Sequence, residues 1–123
     1  MALLYLDRIL GIIRKFLEMD ESSIAAYLFG SFARGDFTDE SDVDVLVVSE
    51  RAEETRKKLY NLSWDIQFAY GVPVSFVVVP EERWRRSLTP LKKIVLEEGV
   101  LIWERETRGK KSPRPTSRKP RNI

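Results

Sequence analysis

Apolar residues recur at helical spacing along the start of the chain, where Leu3, Leu6, Ile9, Leu10, Ile13, Phe16 and Leu17 form one wide face. The spacing predicts a helix from about Leu3 to Met19, broken by Asp20-Glu21-Ser22-Ser23. Ile24 to Phe29 is short, apolar and bounded by Gly30, the pattern of a buried strand. Ser31 to Arg34 follows as a short turn of helix, then a polar loop from Asp36 to Ser41. Asp42 to Val48 is rich in β-branched residues and predicts the clearest strand of the chain.

Glu50 to Tyr70 reads as a long helix with Leu59, Leu62, Ile66 and Ala69 as its buried stripe, stopped by Gly71. Pro73 to Val79 is a third strand. Pro80-Glu81-Glu82 opens a short helix through Leu88. Thr89-Pro90 restarts another as an N-cap followed by proline at the first helical position. Val100 to Trp103 is a last short strand. The order predicts an α+β fold, a small mixed sheet of three to four strands with helices packed against it.

Composition narrows the chemistry. At 123 residues the chain has room for one domain. The 43% apolar and 33% charged fractions fit a folded, soluble protein. With no cysteine and no histidine, disulfides, zinc fingers and serine or cysteine triads are excluded. Any metal must be a hard cation held by carboxylates. No segment nears the roughly 20 apolar residues that cross a bilayer, so a cytoplasmic protein without a membrane segment is expected. Scarce Asn and Gln beside abundant Lys, Arg and Glu match the bias of hyperthermophile proteins.

The net charge of +2 hides an asymmetry. Residues 107–123 hold seven basic side chains and no acidic one, which leaves the body at −5. This composition predicts a domain over residues 1–104 and a disordered basic tail over 105–123. The tail is a candidate contact for RNA phosphates, although no aromatic residue is interleaved for base stacking.

The candidate chemistry lies between the first two strands. Residues two apart in a strand share a face, so Asp42 and Asp44 aim their carboxylates into one space. Such a pair repels unless a cation sits between. Mg²⁺ suits it, because that ion takes one or two carboxylates and leaves its other positions to water and phosphate. Gly30, at the turn into the short helix, lets backbone N–H groups approach a phosphate. The Ser31 hydroxyl adds a donor, and Arg34 lies near the same anion. Gly-Ser followed ten residues later by Asp-x-Asp arises by chance in roughly one chain per thousand of this size, which separates it from a lone Asp-x-Asp.

Gly30-Ser31-Phe32-Ala33-Arg34-Gly35 and Ser41-Asp42-Val43-Asp44-Val45 together resemble the signature of the minimal nucleotidyltransferases of the DNA polymerase β superfamily. The resemblance covers about Ile24 to Trp103. It implies ATP or another nucleoside triphosphate as substrate and Mg²⁺ or Mn²⁺ held by Asp42 and Asp44. It also implies transfer of a nucleoside monophosphate to a protein or RNA hydroxyl with loss of pyrophosphate. Members of this family are usually encoded beside a helical HEPN-type protein, for which they act as antitoxins. A HEPN-type partner is therefore expected, or a homo-oligomer, since the chain is too small to hold both a catalytic core and a dedicated acceptor domain.

One position departs from the signature. The family's third carboxylate lies on the next strand, in a segment resembling Pro-Val-Asp, where this chain has Pro73-Val74-Ser75. A neutral serine does not replace a charged ligand, so the alternative is a catalytically impaired module that acts by binding a helical partner. Asp65, Glu81 and Glu82 are the acids that could substitute. Trp84, among Glu82, Arg83, Arg85 and Arg86, is expected to be the most exposed of the three tryptophans.

Overall fold

A computed structural model describes residues 2–86 and 88–106. The basic tail expected from composition lies outside the described residues, apart from its first two positions. The elements run α1 (Ala2–Met19), β1 (Ser23–Phe29), α2 (Ser31–Arg34), β2 (Val43–Ser49), α3 (Ala52–Tyr70), β3 (Val74–Pro80), α4 (Glu81–Arg86), α5 (Pro90–Glu98) and β4 (Val100–Glu104). Each predicted element is present, with ends shifted by one or two residues, as helix and strand ends generally are.

The four strands form one sheet in the order β3-β2-β1-β4. β1 runs antiparallel to both β2 and β4, while β2 and β3 are parallel. Consecutive parallel strands need a crossover, and α3 supplies it. The fold is therefore a mixed α+β fold, as the order of elements predicts.

The period of two in β2 divides the core into two layers. Val43, Val45 and Val47 face one side, where Ile9, Ile13 and Leu17 of α1 and Leu59 and Ile66 of α3 bury completely or nearly so. Leu46 and Val48 face the other side and meet Val95 of α5, with Trp84 of α4 packed alongside. Each fully buried aliphatic side chain contributes about 1.5–3 kcal/mol, so both layers are needed to hold so short a chain.

Two expectations about side chains are corrected. Ala69 is exposed, and the α3 stripe is completed at its other end by fully buried Thr55. Thr55 is satisfied there by hydrogen bonds to Asp20 and Ser49. Trp84 is half-buried, because α4 lies across the sheet and sets its ring 5.8 Å from Tyr27, with Lys92 5.3 Å over its face. Trp64 is the exposed tryptophan, at 56%.

The end of the sheet far from Gly30 is closed by polar groups. Asp20, 5% exposed, accepts hydrogen bonds from Ser23 and Thr55 and pairs with Lys58. Arg105, which composition assigns to the tail, donates to the carbonyls of Leu17, Asp20 and Ser23. Those carbonyls belong to the end of α1 and the start of β1, so Arg105 ties the last strand to the body.

Candidate functional site

The site forms where β1 ends and β2 begins. Phe29 is the register partner of Asp44, so Gly30, the next residue, lies against the Asp44 side chain. Gly30 adopts φ 79 and ψ −157, a combination open in practice to glycine alone. A Cβ built there would overlap the Asp44 carboxylate. Glycine is therefore required at position 30 twice over, once by its backbone and once by the carboxylate packed on it.

The chain then turns into α2. Ala33 and Arg34 donate their N–H groups to the Gly30 carbonyl, at 3.1 and 3.0 Å. The first N–H groups of a helix have no acceptor within it, and Ser31 and Phe32 hold those positions. The following loop is held compactly. Phe37 stacks on Phe32 with ring centroids 4.7 Å apart. Thr38 donates its N–H to the Ser41 hydroxyl at 2.8 Å, and Ser41 donates its own N–H to the Thr38 carbonyl at 3.1 Å. Ser41 shapes the turn that delivers Asp42.

Asp42 is exposed and Asp44 half-buried. Burial, together with the neighbouring Asp42 carboxylate, pushes the Asp44 carboxyl above the ordinary value of 3.8, against the pull of Arg34. The two acids are thus close enough to repel. A divalent cation between them would reverse the sign of that interaction, and two carboxylate ligands are what Mg²⁺ takes from a protein. The donor set fits one such ion. Among the described residues no group of three or more acidic, His or Cys side chains is assembled, so a second ion of the same kind would lack a carboxylate.

Arg34 reaches the site with partners of its own. Its Nε donates to Asp36 at 3.2 Å, and its Nη1 lies 3.7 Å from Glu98. Glu98 comes from the end of α5, which approaches β1 so closely that a Cβ at Gly99 would stand 2.5 Å from the Val95 carbonyl and 3.1 Å from that of Leu28. Nothing in the local sequence of α5 marks Glu98 as a neighbour of the site; only this close approach brings it there. Exposed ion pairs are weak because solvent screens them, so an incoming phosphate can displace both acids from Arg34.

Ser75 is the register partner of Asp44 on the adjacent parallel strand and is exposed. Side chains paired in this way lie next to each other on the same face. None of the three acids considered as substitutes joins it. Glu81 follows the far end of β3, beyond Pro80, which pairs with Ser49. Glu82 lies one residue further on, and Asp65 is exposed on α3, which packs against the opposite face.

The sequence profile of the nucleotidyltransferase domain family matches residues 9–102. The chain belongs to this family. Membership makes it a nucleotidyltransferase-fold protein, in a family whose chemistry uses a nucleoside triphosphate and a divalent metal. Among similar proteins, one from Methanocaldococcus jannaschii named as a candidate protein adenylyltransferase is 35% identical over 77 residues. The match spans 62% of this chain and 74% of that one.

The nucleotidyltransferase fold also matches solved toxin–antitoxin structures. A mutant MntA–HpeT pair matches with a TM-score of 0.57 and 25% identity, over 78% of this chain and 72% of that one. A tri-AMPylated HEPN toxin of Shewanella oneidensis in complex with MNT antitoxin matches with a TM-score of 0.55 and 21% identity, over 80% and 72%. At that identity the second likeness concerns the fold. Among the described residues, no helix is long and apolar enough to cross a membrane.

Proposed function

We propose that this chain binds a Mg²⁺- or Mn²⁺-bound nucleoside triphosphate, ATP first among them, and transfers its nucleoside monophosphate to a hydroxyl on a helical HEPN-type protein. The observation that carries the reading is the packing of the Asp44 carboxylate on Gly30, with Asp42 beside it. It brings the Asp44 carboxylate against the turn that this reading assigns to the phosphates. The relative named as an adenylyltransferase favours AMP and a protein acceptor, and the AMPylated HEPN toxin in a complex of the same fold favours the partner.

In this reading Asp42 and Asp44 would hold the cation, which would neutralise charge on the phosphates. Gly30 admits the phosphates, the first N–H groups of α2 and the Ser31 hydroxyl donate to them, and Arg34 exchanges Asp36 and Glu98 for phosphate oxygens. The acceptor hydroxyl attacks the α-phosphorus, its proton passes to solvent water, and the bond to pyrophosphate breaks. The same site could take an RNA hydroxyl as acceptor, with the basic tail meeting its phosphates.

A second reading rests on one observation, the pairing of Asp44 with Ser75. Without a carboxylate at position 75, the chain lacks both a ligand for a second cation and an acceptor for the hydroxyl proton. It then binds triphosphate and partner without turnover.

Labelled ATP, the purified chain and its HEPN-type partner, with Mg²⁺ or Mn²⁺, test the first reading. Label should appear on the partner, and Asp42→Asn should abolish it. No transfer from the parent, together with transfer by Ser75→Asp, would establish the second.

A further inference from the structure

The groove between α3 and β3 presents a surface that the nucleotide site does not use. Tyr60, Trp64 and Phe68 are 63%, 56% and 95% exposed. Helical residues four apart share a face, so the three rings form one stripe along α3. Tyr60 and Trp64 meet edge to face, with centroids 6.4 Å apart. A groove of about 360 Å³ runs beneath the stripe, and Ser63, Gln67, Val74 and Phe76 line it together with Tyr60 and Trp64.

The floor of this groove is a sheet edge. Among the described residues β3 is the terminal strand, with β2 on its inner side. Val43 donates its N–H to the Pro73 carbonyl at 3.0 Å and is the register partner of Val74. In a parallel ladder this makes the odd-numbered residues of β3 bond to β2, while Val74, Phe76 and Val78 turn their N–H and C=O groups outward. Arg56 reaches the outward Val78 carbonyl at 3.1 Å. Unpaired edges are templates for another strand. This one is bounded, because Pro80, next in the outward series, has no N–H.

We propose that the groove is the interface of a two-fold homodimer. β3 pairs antiparallel with its copy about Phe76, and the two α3 stripes close over the joint. Pairing about Phe76 sets Val74 opposite Val78 of the partner subunit, so all three outward residues of each strand are matched without a shift of register, with Arg56 sharing or leaving the Val78 carbonyl it reaches. Trp64 and Phe76 line the same groove, so one axis serves both helix and strand, as a two-fold interface requires.

The aromatic stripe supplies most of the area such an interface needs. Aromatic side chains bury about 150–250 Å² each, so at their exposures the three rings contribute about 400 Å² per copy and about 800 Å² across the pair. Stable interfaces need about 1,200–2,000 Å², so the backbone edge of β3 and the rest of the groove must supply at least about 400 Å² more. An axis perpendicular to the sheet keeps the Asp44 face of both copies on one side, so both nucleotide sites stay open. The proposal is independent of the chemistry at those sites.

Sedimentation equilibrium on the full chain tests it. The expected mass is twice the 14.3 kDa of one chain. Trp64→Glu/Phe68→Glu should weaken self-association at least about a hundred-fold while keeping the circular dichroism of the parent. Phe68→Glu alone, at the most exposed position of the stripe, serves if the double variant fails to fold. Hydrogen exchange should show the Phe76 amide protected in the parent and fast in the monomeric variant. A parent monomeric at about 100 μM, a dimer that survives either variant, or a dimer with a fast Phe76 amide would each overturn the proposal.

Discussion

Asp44 and Ser75 are register partners in the parallel β2–β3 ladder, side by side on the face of the sheet that carries α4 and α5. A carboxylate at position 75 would therefore stand beside the pair formed by Asp42 and Asp44. Ser75→Asp adds a third negative charge where Asp44 already titrates high. Without divalent cation it should lower the melting temperature, and with Mg²⁺ or Mn²⁺ it should gain more stability than the parent does. Thermal denaturation with and without the cation checks this. A variant indifferent to both would show that Ser75 points away from the site in solution.

Gly30→Ala should cost about 1–3 kcal/mol through backbone strain, and it should also push the Asp44 carboxylate off the turn. Metal-dependent ATP binding should then fall by much more than the stability loss explains. Calorimetry at a temperature where the variant remains folded separates the two effects. ATP affinity equal to that of the parent would refute the cradle at Gly30.

The titration of Asp44 has a definite sign. Its folded value lies above 3.8 because of burial first and Asp42 second, so the folded state keeps a proton that the unfolded chain has released. Its contribution to stability therefore falls as pH rises from about 3.8 through the folded value. Asp44→Asn removes that loss. The metal-free variant should melt higher than the parent at neutral pH, with the gap closing as pH drops towards 3.8, while Mg²⁺-dependent ATP binding disappears. A variant less stable than the parent at neutral pH would contradict this.

Asp20 has the opposite sign. Burial pushes its carboxyl up, but hydrogen bonds from Ser23, Thr55 and Lys58, with the Lys58 charge, outweigh that and hold it below 3.8. Its stabilisation is complete above 3.8 and is lost as pH falls through the folded value. Asp20→Ala leaves the Ser23 and Thr55 hydroxyls without this acceptor and should cost about 2–4 kcal/mol. Urea unfolding at neutral pH measures that cost. The loss should shrink in acid, and a loss independent of pH would mean that the charge on Asp20 contributes nothing.

The local sequence settled a good deal. The apolar spacing of Ile9, Ile13 and Leu17 defines α1, and the alternation through Val43, Val45 and Val47 defines β2. The same alternation puts Asp44 on the face opposite those valines, because a period of two is a property of any strand. The Thr89-Pro90 cap also follows from neighbours in sequence, and Thr89 accepts the Lys92 N–H as expected.

Tertiary structure decided the rest, because register and close approach depend on residues far apart in the chain. Only the β2–β3 ladder sets Ser75 against Asp44, and only the approach of α5 to β1 gives Arg34 a partner in Glu98. Trp84 sits among charges in sequence yet packs on Tyr27 across the sheet, while Trp64 is left in the open beside the edge strand β3. Local periodicity tells a side chain which face of its own element to take. It carries no information about which element will come to cover that face, and burial, pairing and charge at this site are set by that second choice.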